Sequence, residues 1–331
     1  MSRYFLATTH VLFLLLVSAF ANASSVDVEV ESTSRQNQSS DDIYESTIRV
    51  AHLGNSIQYY NDFSRLLGHL LRKRYHNVIQ DSCLRGGATL TSLAEKGNDM
   101  AQKFHSPAAL RSDGSFDVGS PTVTDVLSQK WDFVIMNDYT QGPARIDTKT
   151  KSIETLQSIY LPQLSGADVN LSPTVIFIMT AAYRRPTKHS SELGSFDEFT
   201  AKLNAGYAEY QAMIPGSKVA PGGLAYQHLH QRYPKVWEGL YAHDDFHPSP
   251  HGTLLYAYIV FSIITDSVPP LEYSYEWWKT ARYMQPPDEE PLPLPTSEEA
   301  KFLRQIACIV CGLSSNGTCA DDGNEEQSVR L

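Results

Sequence analysis

Five runs of apolar and β-branched residues alternate with stretches of helical spacing, and this alternation constrains the fold more than any other feature. The first strand covers residues 47–53. Phe63, Leu66, Leu67, Leu70 and Leu71 then recur at helical spacing and end in Arg72-Lys73-Arg74, cations suited to a helix C-terminus. A second strand at 77–83 leads through Arg85-Gly86-Gly87-Ala88-Thr89 to a helix marked by Leu90, Leu93 and Ala94. Further on come a helix at 123–129, a strand at 131–136, a helix at 153–161, the most apolar strand at 173–179, a helix at 196–213 and a fifth strand at 218–220. Helices at 224–232 and 252–265 follow, the latter apolar but too short to cross a bilayer comfortably. Continuous apolar strands separated by helices predict a parallel sheet covered on both faces, an α/β fold in three α/β/α layers around five mostly parallel strands.

The ends of the chain read differently. Arg3, the apolar run 11–17 and Ala21-Asn22-Ala23 have the composition of a secretory signal over residues 1–23. Residues 24–44 are rich in Ser, Asp, Glu and Gln and predict a disordered leader. The folded α/β unit then spans 45–270. A C-terminal extension spans 271–319, with a proline-rich stretch at 286–295 and a helix opened by Thr296-Ser297-Glu298-Glu299, a capping signature. An acidic tail, 320–331, is predicted to be disordered. The formal charge is −10 at pH 7, and removal of Arg3 with the signal leaves −11. With no basic cluster, nucleic acid and anionic membrane surfaces are excluded as main partners. Entry into the secretory pathway gives meaning to the sequons at Asn37, Asn170 and Asn316, and favours disulfides among Cys83, Cys308, Cys311 and Cys319 without choosing a pairing.

The strand ends carry the candidate chemistry. Residues 49–57 end a β-branched run abruptly in Gly54-Asn55-Ser56. By itself Ser56 reads as a turn serine that caps a helix. Gly86-Gly87 follows the second strand and Asn137 the third, while Asp244-x-x-His247 lies in an aromatic, polar loop near the end. In a parallel sheet the carboxyl ends of the strands converge on one edge.

This order resembles the SGNH (GDSL-type) hydrolase superfamily. Gly54-Asn55-Ser56 is similar to its first block, with Asn where many members have Asp. Gly87 with Ala88-Thr89 resembles the second block, although Gly86 also fits. Asn137-Asp138 resembles the third, but Ile135 stands where glycine is usual. Asp244-x-x-His247 with Pro248-Ser249 and Gly252 resembles the last. The resemblance implies a flavodoxin-like sheet and a serine esterase. Ser56 would be the nucleophile, His247 the base and Asp244 the group orienting it. The oxyanion donors would be the backbone N–H of Ser56, the backbone N–H of Gly87 and the Asn137 amide. Such chemistry needs no metal and no organic cofactor.

Rival assignments exist for most of these residues. Asp245 is adjacent to Asp244, His243 and His251 flank His247, and His52 within the first strand reads as a packed histidine. Tyr59, Tyr60, Asp62, Gln141, Tyr183 and Arg184 follow the same strand ends and are candidates to line a substrate cleft. Trp277-Trp278 reads as packing of the extension or as a carbohydrate platform. The expected activity is hydrolysis of a carboxylic ester through an acyl-enzyme, with an acylated polysaccharide as a candidate substrate. The alternatives are an acyltransferase using the same triad and an inactive binding protein of the same fold.

Overall fold

The computed structural model describes residues 45–98, 109–110, 116–117, 120–165, 172–271 and 290–313. The signal and leader, the three sequons, Cys319, Trp277-Trp278, part of the proline-rich stretch and the acidic tail lie outside these residues.

Strand β1 (Glu45–Gly54) pairs in parallel with β2 (Tyr75–Leu84) on one side and β3 (Phe133–Met136) on the other. Beyond β3 come β4 (Thr174–Ile178) and β5 (Lys218–Ala220), also parallel. The order is therefore β2-β1-β3-β4-β5. Its direction reverses between β1 and β3, and ligands bind outside such a switch point in open α/β sheets. A short antiparallel pair, Ala109–Leu110 with Phe116–Asp117, stands apart from this sheet.

Valine, isoleucine and phenylalanine fill β3 and β4, and each strand is buried along all but its first residue. Burial on both faces needs helices on both sides, and two groups supply them. Helix α2 (Phe63–Leu71) packs with α10 (Pro250–Thr265), whereas α3 (Leu90–Lys96), α5 (Ile146–Thr155) and α7 (Phe196–Met213) pack with one another. Helix α10 is apolar all round because α11 (Ser297–Val310) and α8 (Gly222–Arg232) close over it. This is a core helix, and among the described residues no helix is long and apolar enough to cross a membrane. Helix α11 opens with the expected capping box, Thr296 with Glu299. Glu299 also takes a hydrogen bond from His251 Nε2 at 3.3 Å, joining the extension to the start of α10.

The sequence-based boundaries hold to within about two residues, apart from one helix that starts earlier and one that was not expected. The helix expected at 153–161 begins at Ile146 instead, and continues through a π turn, Leu156–Tyr160, into α6 (Leu161–Ser165). Its first turns are polar and show no apolar period, and they are held by Ser152 Oγ on Asp138 at 2.8 Å and by Lys149 on Glu209 at 2.5 Å. Helix α9 (Pro234–Glu238) was not expected; its proline occupies the first turn, where no N–H is needed. Helix α8 begins two residues early, with Gly222 and Gly223 in its first turn. Cys83 and Cys311 are free thiols, so Cys308-x-x-Cys311 is not a disulfide pair. Burial, reinforced by Asp81, pushes the Cys83 thiol up to about 12.

Candidate active site

Where β1 ends, the polypeptide turns at once into the short helix α1 (Ser56–Tyr59). The cap is Asn55, not Ser56: its Oδ1 accepts from the Ile57 N–H at 3.2 Å. Neighbouring strand ends are stitched to this turn by backbone hydrogen bonds, Arg85 N–H to Gly54 O at 3.0 Å and Asn137 N–H to Leu53 O at 3.2 Å. Glycine is required at 54 because a Cβ there would stand 2.0 Å from Asn137 Oδ1. Ser56 is 8% exposed and neighbours the Tyr59 phenol, whose pKa burial raises against the opposing effect of that serine.

The second block is a tight turn closed by Ala88 N–H to Arg85 O at 3.1 Å. Gly87 takes φ +66°, a left-handed conformation that glycine adopts without strain, and Gly86 has no such demand. Among the described residues nothing accepts from the backbone N–H of Ser56 or of Gly87. Asn137 is fully buried. Its Oδ1 accepts from Gln58 Nε2 at 2.8 Å, and its Nδ2 donates to Asn55 Oδ1 at 2.7 Å and to the Asp138 carbonyl at 3.1 Å. Ile135, at the position where glycine is usual, is a core residue of β3.

Asp138 is a structural hub. Its carboxylate accepts from Leu90 N–H, Tyr139 N–H, Ser152 Oγ and Tyr210 Oη at 2.6–3.0 Å. Burial raises its pKa, and these four donors hold the rise back.

The last block carries the clearest acid–base geometry. Asp244 Oδ2 lies 2.5 Å from His247 Nδ1, while Oδ1 accepts from the backbone N–H of Phe246 at 3.1 Å and of His247 at 2.9 Å. Burial pushes the Asp244 carboxyl up, but the His247 contacts more than offset it and the net shift is downward. His247 Nε2 is buried and makes no hydrogen bond. Two contacts fasten this loop to the segment following Ser56. Tyr60 stacks on the His247 ring with centroids 4.0 Å apart, and Asn61 Nδ2 donates to Pro248 O at 2.8 Å and to Thr253 Oγ1 at 3.0 Å. Asn61 takes φ 49°, a left-handed conformation that asparagine tolerates better than most residues.

The rivals are engaged elsewhere. Asp245 is ion-paired with Arg184 and Arg185; burial alone would raise its pKa, and the two guanidinium groups bring it below the usual carboxylate range. His243 Nε2 lies 3.2 Å from the Glu290 carbonyl. His251 is held by Glu299, and burial lowers its pKa despite that carboxylate. His52 is packed as expected. Its Nδ1 lies 3.0 Å from Gln58 Oε1 and its Nε2 3.0 Å from Gln80 Nε2, and burial lowers its pKa to about 4. A neutral ring with hydrogen on Nδ1 satisfies both contacts.

Of the cleft candidates, Tyr60 reaches the His247 ring, and Gln141 Nε2 bonds Tyr183 Oη at 3.2 Å. Tyr183 itself is buried against Phe199 and Phe246. Arg184, its side chain a quarter exposed, is held by Asp245, whereas Asp62 is buried against Arg65 at 2.8 Å and lines no open surface. Two residues at the site escape sequence reasoning. Gln58 and Asn61 read as ordinary polar residues of a loop, and only the positive φ and burial reveal them as ties.

No family model matches the sequence, and no curated protein is similar to it. Solved structures do share its architecture. A DUF4886 family protein from Bacteroides uniformis superposes with a TM-score of 0.51 at 18% identity, covering 80% of this chain and 95% of that one. A proposed SGNH hydrolase from Slackia heliotrinireducens aligns over 65% of this chain and 98% of its own at 23% identity and a TM-score of 0.46. Axe2, an acetylxylan esterase from Geobacillus stearothermophilus, aligns over 66% and 94% at 15% identity and a TM-score of 0.43. The parallel β2-β1-β3-β4-β5 sheet of this chain, with helices on both faces, is an α/β fold, shared with the DUF4886 family protein.

Proposed function

We propose that the protein is a secreted serine esterase that cleaves carboxylic esters through an acyl-enzyme, with short acyl groups on a polysaccharide as the substrate class. The observation that carries this reading is the state of His247. Asp244 clamps Nδ1 at 2.5 Å, while Nε2 is buried with nothing to bond, in a loop tied by Asn61 and Tyr60 to the turn bearing Ser56. With Nδ1 engaged by Asp244, Nε2 is the ring nitrogen available to accept a proton.

In this reading Ser56 Oγ attacks the ester carbonyl and its proton passes to His247 Nε2. Asp244 holds the ring in the tautomer that leaves Nε2 free to accept, and it stabilises the imidazolium. Negative charge on the former carbonyl oxygen meets the N–H of Ser56, the N–H of Gly87 and the Asn137 amide. The Asn137 hydrogen that spans 3.1 Å to the Asp138 carbonyl is the weaker of its two bonds and the one the oxyanion would take. The imidazolium then protonates the departing alcohol. Water, deprotonated by the same nitrogen, releases the acid from Ser56.

The His247 ring lies between half-buried aromatic side chains, Tyr60 stacked on it and Phe246 tilted against it. Aromatic faces of this kind suit sugar rings and small acyl groups. The test is release from a chromogenic acetyl ester by the native protein and by Ser56→Ala. Turnover that disappears in the variant supports the reading. Equal turnover by both, or none by either across acyl lengths, rejects it. Amino-terminal sequencing of secreted protein checks cleavage after Ala23.

A further inference from the structure

The turn between Gly54 and Ser56 contains a residue whose side chain reaches all three oxyanion donor segments. Asn55 is 2% exposed. Its Oδ1 accepts from Asn137 Nδ2 at 2.7 Å and from the Ile57 N–H at 3.2 Å, its Nδ2 donates to Ala88 O at 2.9 Å, and its backbone N–H approaches Asn137 Oδ1 at 3.4 Å. Building on the esterase reading, we infer that Asn55 is a positioning residue that sets the Ser56 N–H, the Gly87 N–H and the Asn137 amide against one another, and that the task requires its amide.

The turn from Arg85 to Ala88 is anchored at both ends by the residues just before Ser56. Arg85 N–H is bonded to Gly54 O at 3.0 Å, and Ala88 O receives Asn55 Nδ2. Gly87 lies between these anchors in a left-handed conformation. Without the second anchor the Gly87 N–H loses its fixed aim at the carbonyl that Ser56 attacks. Donors that stabilise an oxyanion act because they are held before charge develops.

The Asn137 amide is oriented by the same residue. Asn137 Oδ1 is occupied by Gln58 Nε2, which in turn is set by His52 Nδ1 on Gln58 Oε1. Its Nδ2 is thereby turned toward Asn55 Oδ1. Every polar side chain in this row, His52, Gln58, Asn137 and Asn55, is buried. Buried networks of this kind specify one arrangement when fully satisfied.

An aspartate at 55, the commoner residue in the superfamily resembled, would keep the two bonds to Oδ1. It could not donate to Ala88 O, and when ionised it would set a negative oxygen against that carbonyl. The departure from aspartate thus has a specific physical consequence, a hydrogen bond between the first and second blocks. A loss-of-function origin would not need it.

The test uses the full chain, a short-acyl chromogenic ester and phenylboronic acid, whose serine adduct carries an oxygen at the oxyanion position. Wild type, Ser56→Ala, Asn55→Asp and Asn55→Ser are compared from mildly acidic to alkaline pH, each with its melting curve. Serine is a competent helix cap but too short to reach Ala88 O, so Asn55→Ser serves where Asn55→Asp does not fold. The expected result for both Asn55 variants is a kcat lowered on the order of 10- to 100-fold, less than loss of a donor itself, with KM nearly unchanged and boronate affinity weakened in parallel. The deficit of Asn55→Asp should deepen as pH rises, because a protonated carboxyl can still donate to Ala88 O and an ionised one cannot. The deficit of Asn55→Ser should not change with pH. A dead Ser56→Ala beside Asn55 variants with wild-type kcat and boronate affinity, or with a change in KM alone, overturns the inference by itself. Ser56→Ala as active as wild type overturns the esterase reading and the inference with it.

Discussion

The Tyr60 ring lies flat on the His247 imidazole, with centroids 4.0 Å apart and planes 3° from parallel. Tyr60 is four residues beyond Ser56, so one short segment carries both the proposed nucleophile and a wall that fixes the tilt of the proposed base.

Tyr60→Phe should therefore keep most activity, because the stack survives. Tyr60→Ala should lower kcat on the order of 10-fold, since small displacements of a catalytic group are costly. Steady-state kinetics of the two variants checks both statements. Wild-type kcat in Tyr60→Ala would deny the stack any role.

Asp244 and Asp245 are neighbours with separate tasks, and substitution by asparagine should separate them. Asp244→Asn favours the wrong tautomer of His247 and should lower kcat by on the order of 10²–10⁴. Asp245 sits at φ 70°, which asparagine tolerates, and it balances Arg184 and Arg185. Asp245→Asn should leave kcat within about 10-fold while lowering stability by roughly 1–3 kcal/mol, as a mostly buried acceptor loses its charge. Kinetics and urea melts on the two variants give the contrast directly.

His52 gives the protein a pH-dependent stability. Burial lowers its pKa from 6.5 to about 4, so the folded ring stays neutral where the unfolded ring is already protonated. Above pH 6.5 both states are neutral and nothing is lost. Between 6.5 and about 4 the unfolded state binds the extra proton, and the cost to folding grows to on the order of 3 kcal/mol. Below about 4 it grows no further. His52→Gln should show a shallower fall in urea-melt stability across that window than wild type. An equal fall would mean the ring titrates normally in the folded state.

The order of strands and helices is legible in the sequence because burial on both faces demands uninterrupted apolar strands, as in Thr174–Ile178. Helix α5 is harder to read, since Ile146–Thr155 is polar and is held by side-chain bonds to Asp138 and Glu209 rather than by an apolar stripe. At the site, residue types and chain order single out Ser56, Gly87, Asn137, Asp244 and His247. Sequence does not reveal the buried row behind them. Asn55 is legible only as a departure from the commoner aspartate, Gln58 looks like a surface loop residue until the fold encloses it, and Asn61 gives no sign that it ties the first turn to Pro248. Spacing to His247 favours Asp244 over Asp245 in the sequence, and the contacts give the two different partners, His247 for one and Arg184 with Arg185 for the other.

The most direct measurement is covalent capture of the nucleophile. The native protein is treated with a fluorophosphonate, digested and mapped by mass spectrometry, alongside Ser56→Ala and His247→Ala. One adduct on the peptide bearing Ser56, absent from Ser56→Ala and strongly slowed in His247→Ala, is the expected result. An adduct on another residue, or none on protein shown to be folded, would contradict a serine esterase centred on Ser56.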